Sequence, residues 1–170
     1  MTGAPETASS DSAFWRFSLR FYALPDVAPA CLALQDEANV DVNLMLFLLF
    51  LAESGRAITR DDVARLDASI APWRVQVVEP LRALRRRLKS GIDDVPTAAS
   101  EGLRNMVKKI ELEAERLEQG RLENAAPTLG KPVPRNEAAH ANLAAYEAHL
   151  APLPEAPKAI ILKAFSDHAV

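Results

Sequence analysis

The sequence "DVNLMLFLLFLAES", Asp41 to Ser54, contains nine consecutive apolar residues, Leu44 to Ala52. A membrane-spanning helix needs about 20 mostly apolar residues, whereas this run is preceded by Asn43 and ends at Glu53, so it predicts no transmembrane segment. A helix that is apolar on every side must be covered on every side. We therefore expect this segment to be the buried central helix of a bundle, with the rest of the chain packed around it.

Composition and cysteine content limit the class of protein. The chain has 170 residues, of which 49% are hydrophobic, enough for one compact domain with a sizeable core. The single cysteine, Cys31, excludes an intramolecular disulfide, and no Cys or His cluster has metal-ligand spacing, so we expect a cytoplasmic protein without a metal or other cofactor. Residues 1–12 lack the apolar core of a secretory signal and predict a disordered tail before a single helical domain at 13–170.

Apolar residues recur at helical spacing along most of the chain and predict an all-α bundle of about seven to eight helices, with no convincing strand. Asp26 precedes a predicted helix, where its side-chain oxygen can accept a hydrogen bond from a free backbone N–H. Thr59 and Asp62 have the spacing of a capping box. Pro72 is expected to open a helix, and Pro80 to bend that helix by removing an internal hydrogen bond.

The segment "NAAPTLGKPVPRN", residues 124–136, contains three prolines and a glycine and predicts a hinge. A helical extension is predicted beyond it, at residues 136–169. Asn136 can cap the first helix of this extension, and Pro157 can begin the last one, because the N–H that proline lacks would have no partner in a first turn. Whether the extension packs on its own bundle or on a neighbouring copy stays open.

Four polar residues surround the entry to the apolar segment, and they form the first candidate site: Gln35, Asp36, Asp41 and Asn43. If the second and third predicted helices form an antiparallel hairpin, these side chains converge into a polar pocket for a small molecule or a metal-dependent reaction. The structural alternative is that Asp41 caps the apolar helix, that Asp36 is surface charge, and that Gln35 and Asn43 bond neighbouring backbone groups.

Positive charge is concentrated between residues 56 and 89. This segment contains nine Arg or Lys residues and four acids, in a chain of net charge −3. Helical spacing places Arg82, Arg85, Arg86 and Lys89 opposite an apolar stripe that includes Trp73 and Leu84, and so predicts one solvent-facing basic patch. The patch can meet an acidic protein or phosphates, or it can be an ordinary solvated face. The acidic total makes nucleic acid an improbable partner.

Two blocks carry a resemblance to a known family: the pair Gln35 and Asp36 followed by "DVNL" at Asp41 to Leu44, and "WRVQVVEPLRALRRRLK" at Trp73 to Lys89. They resemble an uncharacterised bacterial family, mainly proteobacterial, that is known only as a domain of unknown function. The resemblance extends from about Phe14 to Glu123. It implies an α-helical bacterial protein, and it implies no activity, ligand or catalytic residue.

The sequence contains no phosphate-binding glycine loop, no GxSxG motif and no HExxH pair, and nothing in it argues positively for catalysis. It favours a non-catalytic accessory or protein-interaction module, with the charged faces of the predicted helices near residues 72–89 and 103–117 as the partner surface. One alternative is a small-molecule or metal-dependent enzyme at the polar junction. The other is a weak electrostatic binder of nucleic acid or anionic lipid.

Overall fold

The computed structural model describes residues 12–92 and 95–168, and these ranges are almost entirely helical. Eight α-helices occur there: α1 (Ala13–Tyr22), α2 (Val27–Ala38), α3 (Val42–Glu53), α4 (Arg60–Trp73), α5 (Glu79–Ser90), α6 (Thr97–Ala125), α7 (Arg135–His149) and α8 (Glu155–Asp167). The predicted all-α fold is confirmed. The tail predicted at residues 1–12 lies outside the described residues apart from Ser12, which caps α1 by accepting a hydrogen bond from the Trp15 N–H.

Helix α3 carries the apolar segment and forms much of the core. Every residue from Leu44 to Ala52 is buried except Phe50, which is half-buried. The Phe47 ring meets the Phe14 ring of α1 edge to face at 5.2 Å between centroids, and α3 also packs against α6 and α7. Among the described residues, no helix combines the length and the apolar content that crossing a membrane requires.

Two of the predicted helix starts are confirmed and one is wrong. The Asp41 side chain accepts a hydrogen bond from the Leu44 N–H at 3.1 Å, and Thr59 and Asp62 form the capping box at the start of α4. Asp26 precedes α2 but makes no capping hydrogen bond, because its backbone is left-handed, with φ of 63°. A capping side chain needs an extended backbone to reach the first N–H groups.

The helix starts near the carboxyl end also differ from the prediction. Helix α7 begins at Arg135, after Pro134 rather than after Asn136. The Asn136 side chain donates to Ser166 of α8 at 3.1 Å instead. Helix α8 begins at Glu155, which places Pro157 within the first turn, where a missing N–H costs nothing. Helices α7 and α8 pack against α3 and α2 of the same chain, respectively.

Helix α4 does not stop where a new helix was predicted. It continues through Pro72 to Trp73, and a π-helical segment, Arg74–Val78, joins it directly to α5. In a regular α-helix, the Pro80 ring would clash with the carbonyl of Gln76, four residues earlier. The wider π-helical turns lie at this point and relieve that clash. The predicted opening of a helix at Pro72 is therefore wrong.

The proline-rich segment contains structure that the sequence did not predict. After a short 3₁₀ turn at Ala126–Thr128, strand β2 (Lys131–Pro132) pairs antiparallel with β1 (Arg56–Ala57). Gly55 makes this contact possible: its φ is +64°, and a Cβ there would lie 2.5 Å from the Val133 carbonyl oxygen. A ladder of two residues has no periodicity that a sequence can reveal, which explains why no strand was predicted.

Candidate functional site

A cavity of about 250 Å³ lies beside the junction of α2 and α3. Its lining comes from the junction, α4, the π-helical segment, α5, α6 and α7. Buried residues form its floor, among them Asn43, Glu118 and Tyr146, whereas Val75 and Leu150 at its edge are exposed. The space exceeds that of a single water molecule and falls just below the range of pockets for drug-sized ligands. A small molecule therefore fits.

Arg74 is the central cation of the cavity wall. Its Nη1 lies 2.7 Å from Asp41 Oδ2 and 2.7 Å from Asp67 Oδ1. Burial opposes the charge on Arg74, but the hydrogen bonds to Asp41 and Asp67 outweigh this effect and raise the pKa of the guanidinium. Since Asp41 also caps α3, a single carboxylate joins the start of α3 to the π-helical segment.

Asp67 and two side chains of α7 complete this side of the wall. His149 Nε2 lies 2.9 Å from Asp67 Oδ2. Burial opposes the charge on Asp67, but the hydrogen bonds from His149 and Arg74 prevail and lower the pKa of its carboxyl. The Tyr146 hydroxyl accepts a hydrogen bond from the Asp41 backbone N–H at 2.9 Å, and burial raises the pKa of this phenol. Tyr146 is therefore a neutral group at physiological pH.

Glu118 lies at the floor and differs from every other acid of the cavity. Its side chain is completely buried, and neither carboxyl oxygen accepts a hydrogen bond from a described residue. Burial first, and then the negative charge of Asp41, raise the pKa of Glu118 to about 9. The carboxyl is consequently protonated at neutral pH, and its proton can be shared with the Asp41 carboxylate.

A second set of buried polar groups lies next to the cavity and has a structural role. Gln119 Nε2 donates to Asn43 Oδ1 at 2.8 Å, and Ser18 Oγ donates to Gln119 Oε1 at 2.9 Å. This chain links α3, α6 and α1 and satisfies the side-chain oxygen of Asn43. Asn43 thus lies at the floor of the cavity with that oxygen already hydrogen-bonded.

Three of the four predicted site residues line the cavity: Gln35, Asp41 and Asn43. Asp36 lies elsewhere, because its exposed side chain pairs with Arg86 at 2.7 Å. The sequence reasoning missed Arg74 and Glu118, which belong to segments far from the junction. One feature of the sequence could have indicated Glu118. It lies four residues after Ala114 on the buried stripe of α6, where an acidic side chain is unusual.

The predicted basic patch is divided by the packing of α5 on α6. Arg82 Nη2 lies 2.8 Å from Glu115 Oε1, and Arg85 Nη2 lies 3.2 Å from Glu111 Oε1, with both arginine side chains mostly covered. The prediction that these two arginines face solvent is wrong, because acids of α6 attract them inward. Leu84, expected in the core, is 40% exposed instead. Arg86 and Lys89 remain at the surface.

Metal binding has no support from the geometry of these side chains. Within the described ranges, no three His, Cys, Asp or Glu residues are placed to hold a metal ion. Asp41, Asp67 and His149 instead form a chain of hydrogen bonds through Arg74. The cavity can therefore offer hydrogen bonds and one titratable carboxyl to a ligand.

Replacing Glu118 with Gln is expected to flatten the dependence of stability on pH. The folded pKa of about 9 lies above the ordinary value of 4.5, so the folded state retains a proton that the unfolded chain releases. The corresponding stability is complete below pH 4.5 and is lost as the pH rises toward 9. Between pH 6 and 8, the wild-type free energy of unfolding should fall by about 2 kcal/mol more than that of the variant. Urea denaturation at each pH measures both, and parallel curves would contradict the assignment.

Comparison with known proteins gives a family and no activity. The family described as "Protein of unknown function (DUF2390)" matches residues 13–122, which include α1 to α5 and most of α6. No curated protein and no solved structure matches the chain. The matched part covers more than half of the sequence and contains Asp41, Arg74 and Glu118 of the cavity, whereas Tyr146 and His149 lie beyond it. The chain therefore belongs to this family of proteins of unknown function.

Proposed function

We propose that the protein is a non-catalytic accessory module of the bacterial cytoplasm that binds another protein. The observation that carries this proposal is a row of apolar side chains on α6, here called the α6 stripe, with 45% to 56% of each residue exposed: Leu103, Met106, Ile110 and Leu117. Single exposed apolar residues are ordinary, but a contiguous exposed row is typical of an interaction surface.

The spacing of the α6 stripe favours a helical partner. Its residues occupy the alternating three- and four-residue positions at which two helices pack along a common seam. Glu113 is the one polar residue in the row. The neighbouring face of α6, which includes Val107 and Ala114, is buried within the protein, and α6 packs against α5, α3 and α1. The stripe is thus additional to the surface that holds α6 in place.

The charges around the stripe argue for a different protein rather than a second copy. Lys109 borders its outer edge, where Arg116 pairs with Glu113 of the row. An antiparallel pair of two α6 helices would bring Lys109 of each copy beside the same basic edge of the other, and a parallel pair in register would place the polar Glu113 of each copy against its equivalent. A partner helix with an apolar face and acidic residues beside it would meet Lys109 with the opposite charge. We therefore infer that the partner contributes an amphipathic helix with an acidic edge.

Site-specific photo-crosslinking in the native host tests this proposal. A photoreactive amino acid replaces Met106 in the α6 stripe, and the matched control carries it at Leu112, which is 48% exposed on another face of α6. The expected product is one heterologous protein joined to position 106 and not to 112, through an amphipathic helix with an acidic edge. Equal products at both positions, a product with a second copy, or no product would each contradict the proposal.

Replacing Ile110 with Glu is expected to abolish this binding without unfolding the protein. Ile110 is 56% exposed, so the free energy of unfolding should change by no more than about 0.5 kcal/mol. The affinity for the crosslinked partner should fall at least about tenfold, because an apolar contact is lost and a like charge meets the acidic edge. Leu112→Glu is the control on the far face. Calorimetric titration of the purified pair measures the difference, and equal affinities for the two variants would refute it.

A further inference from the structure

We propose that the cavity beside α3 is a binding site for a small primary amine in its protonated form, with the Glu118 carboxylate as the group that receives the ammonium. The ligand class is a short alkylammonium. This site is distinct from the α6 stripe, and its test does not depend on that proposal.

The basic side chains of the cavity wall already have acidic partners, whereas the Glu118 carboxyl at its floor accepts no hydrogen bond from a described residue. Arg74 is occupied by Asp41 and Asp67, and His149 faces Asp67. Arg82 is held by acids of α6. In the free protein, the protonated Glu118 can donate to the Asp41 carboxylate, but neither oxygen of Glu118 accepts a hydrogen bond from a described residue. A buried acceptor without a donor is costly, so a ligand that fits must donate N–H groups.

The charges of the lining residues favour a cation. Four acids line the cavity against two arginines: Asp41, Asp67, Glu79 and Glu118 against Arg74 and Arg82. An ionised Glu118 therefore leaves a local excess of negative charge in a place where water cannot compensate for it. In the free protein, a proton shared with Asp41 relieves this excess. An ammonium group replaces that proton and adds hydrogen bonds to both oxygens of Glu118.

Part of the lining suits a short aliphatic body. Val75 and Leu150 are the exposed apolar residues of the lining, whereas Val40 and Val78 are buried. The volume of about 250 Å³ admits a chain of a few carbon atoms. The absence of a three-ligand metal arrangement in the described part of the chain makes an organic cation a better fit than a divalent metal.

Binding of the ammonium must be coupled to the release of a proton. The charged groups that act on Glu118 are Asp41 at the start of α3, Arg74 of the π-helical segment and Glu115 on α6. Since the ammonium takes the place of the Glu118 proton, each binding event releases one proton at neutral pH. The affinity should consequently increase by up to about tenfold for each pH unit between 6 and 8.

Calorimetric titration of the full chain with propylammonium chloride tests the proposal. Titrations at pH 6, 7 and 8 use phosphate and MOPS, two buffers with different heats of ionisation, and avoid Tris because it is itself a primary amine. We expect release of close to one proton and an affinity that rises with pH. Propylammonium should bind more tightly than methylammonium by roughly fourfold for each additional buried methylene. Tetramethylammonium, which has no N–H, should not bind.

Two variants separate a Glu118 site from general attraction to an acidic protein. Glu118→Gln should bind propylammonium at least about tenfold more weakly and release no proton, while Glu101→Gln, an exposed acid on the same helix, should bind as the wild type does. A melting curve verifies that each variant is folded. The proposal is overturned if wild-type protein binds no alkylammonium, if binding releases no proton, or if MgCl₂ displaces the amine at equal concentration. The number of protons released by the wild-type protein tests the proposal even if Glu118→Gln fails to fold.

Discussion

Replacement of Asn142 by Leu should lower the free energy of unfolding by about 3 kcal/mol. Asn142 of α7 is completely buried. Its Oδ1 accepts a hydrogen bond from the Ile58 N–H at 2.8 Å, and its Nδ2 donates to the Leu48 and Arg56 carbonyl oxygens at 2.9 Å each. One side chain therefore satisfies the backbone of α3, of β1 and of the residue after β1. Leucine has a similar volume, admits no water in place of the amide and leaves these backbone groups without a partner.

Urea denaturation of the Asn142→Leu variant measures this loss. The matched control is Asn105→Leu at an exposed position of α6, which should change the free energy of unfolding by no more than about 0.5 kcal/mol. The slope of the unfolding free energy against urea should be the same for all three proteins, because the surface exposed on unfolding is unchanged. A loss below 1 kcal/mol for Asn142→Leu would show that the three backbone groups find other partners.

Replacement of Phe47 by Ala should destabilise the protein by about 4 kcal/mol. Phe47 is completely buried in α3, and its ring lies 5.2 Å from that of Phe14 and 6.3 Å from that of Phe50, measured between centroids. Truncation removes buried apolar surface and leaves a cavity between α1 and α3 that the rigid helices cannot close. Phe47→Leu retains most of the volume and should lose less than half as much.

Thermal and urea unfolding of the Phe47 series test this expectation. Leu112→Ala serves as the control, since it truncates a side chain of comparable chemistry that is 48% exposed and should leave stability nearly unchanged. If Phe47→Ala and Leu112→Ala had the same effect, α3 would not be packed as the structure describes it. A graded loss from Leu to Ala at position 47 would support tight packing around the ring.

The parts of the fold that could be predicted are those that depend on neighbouring residues. Leu44–Ala52 is apolar on all sides, and such a helix must be buried inside the protein. The Thr59 and Asp62 capping box joins two side chains to backbone groups three residues away. The prediction of an Asp26 cap was wrong because the turn between α1 and α2 gives this residue a left-handed φ. The identity of a single residue does not predict such a backbone conformation.

The candidate site was predicted only in part, for the same reason. Gln35, Asp41 and Asn43 lie close together along the chain, and their convergence follows from the predicted hairpin. Arg74 and Glu118 reach the same cavity from the π-helical segment and from α6. The two arginines Arg82 and Arg85 turned inward because acids on α6 offer ion pairs, and no property of α5 alone reveals those acids.

The sequence by itself determined the helical class, the burial of α3 and the polar residues at its entry, because the period of apolar residues and the chemistry of helix ends act within one or two turns. Only the tertiary structure determined which acid has a strongly raised pKa. Glu118 is one of several glutamates on α6, yet only the packing of that helix against α3 and the π-helical segment buries its carboxyl beside Asp41. Burial next to another carboxylate, rather than residue type, raises the pKa of this group so that it keeps its proton.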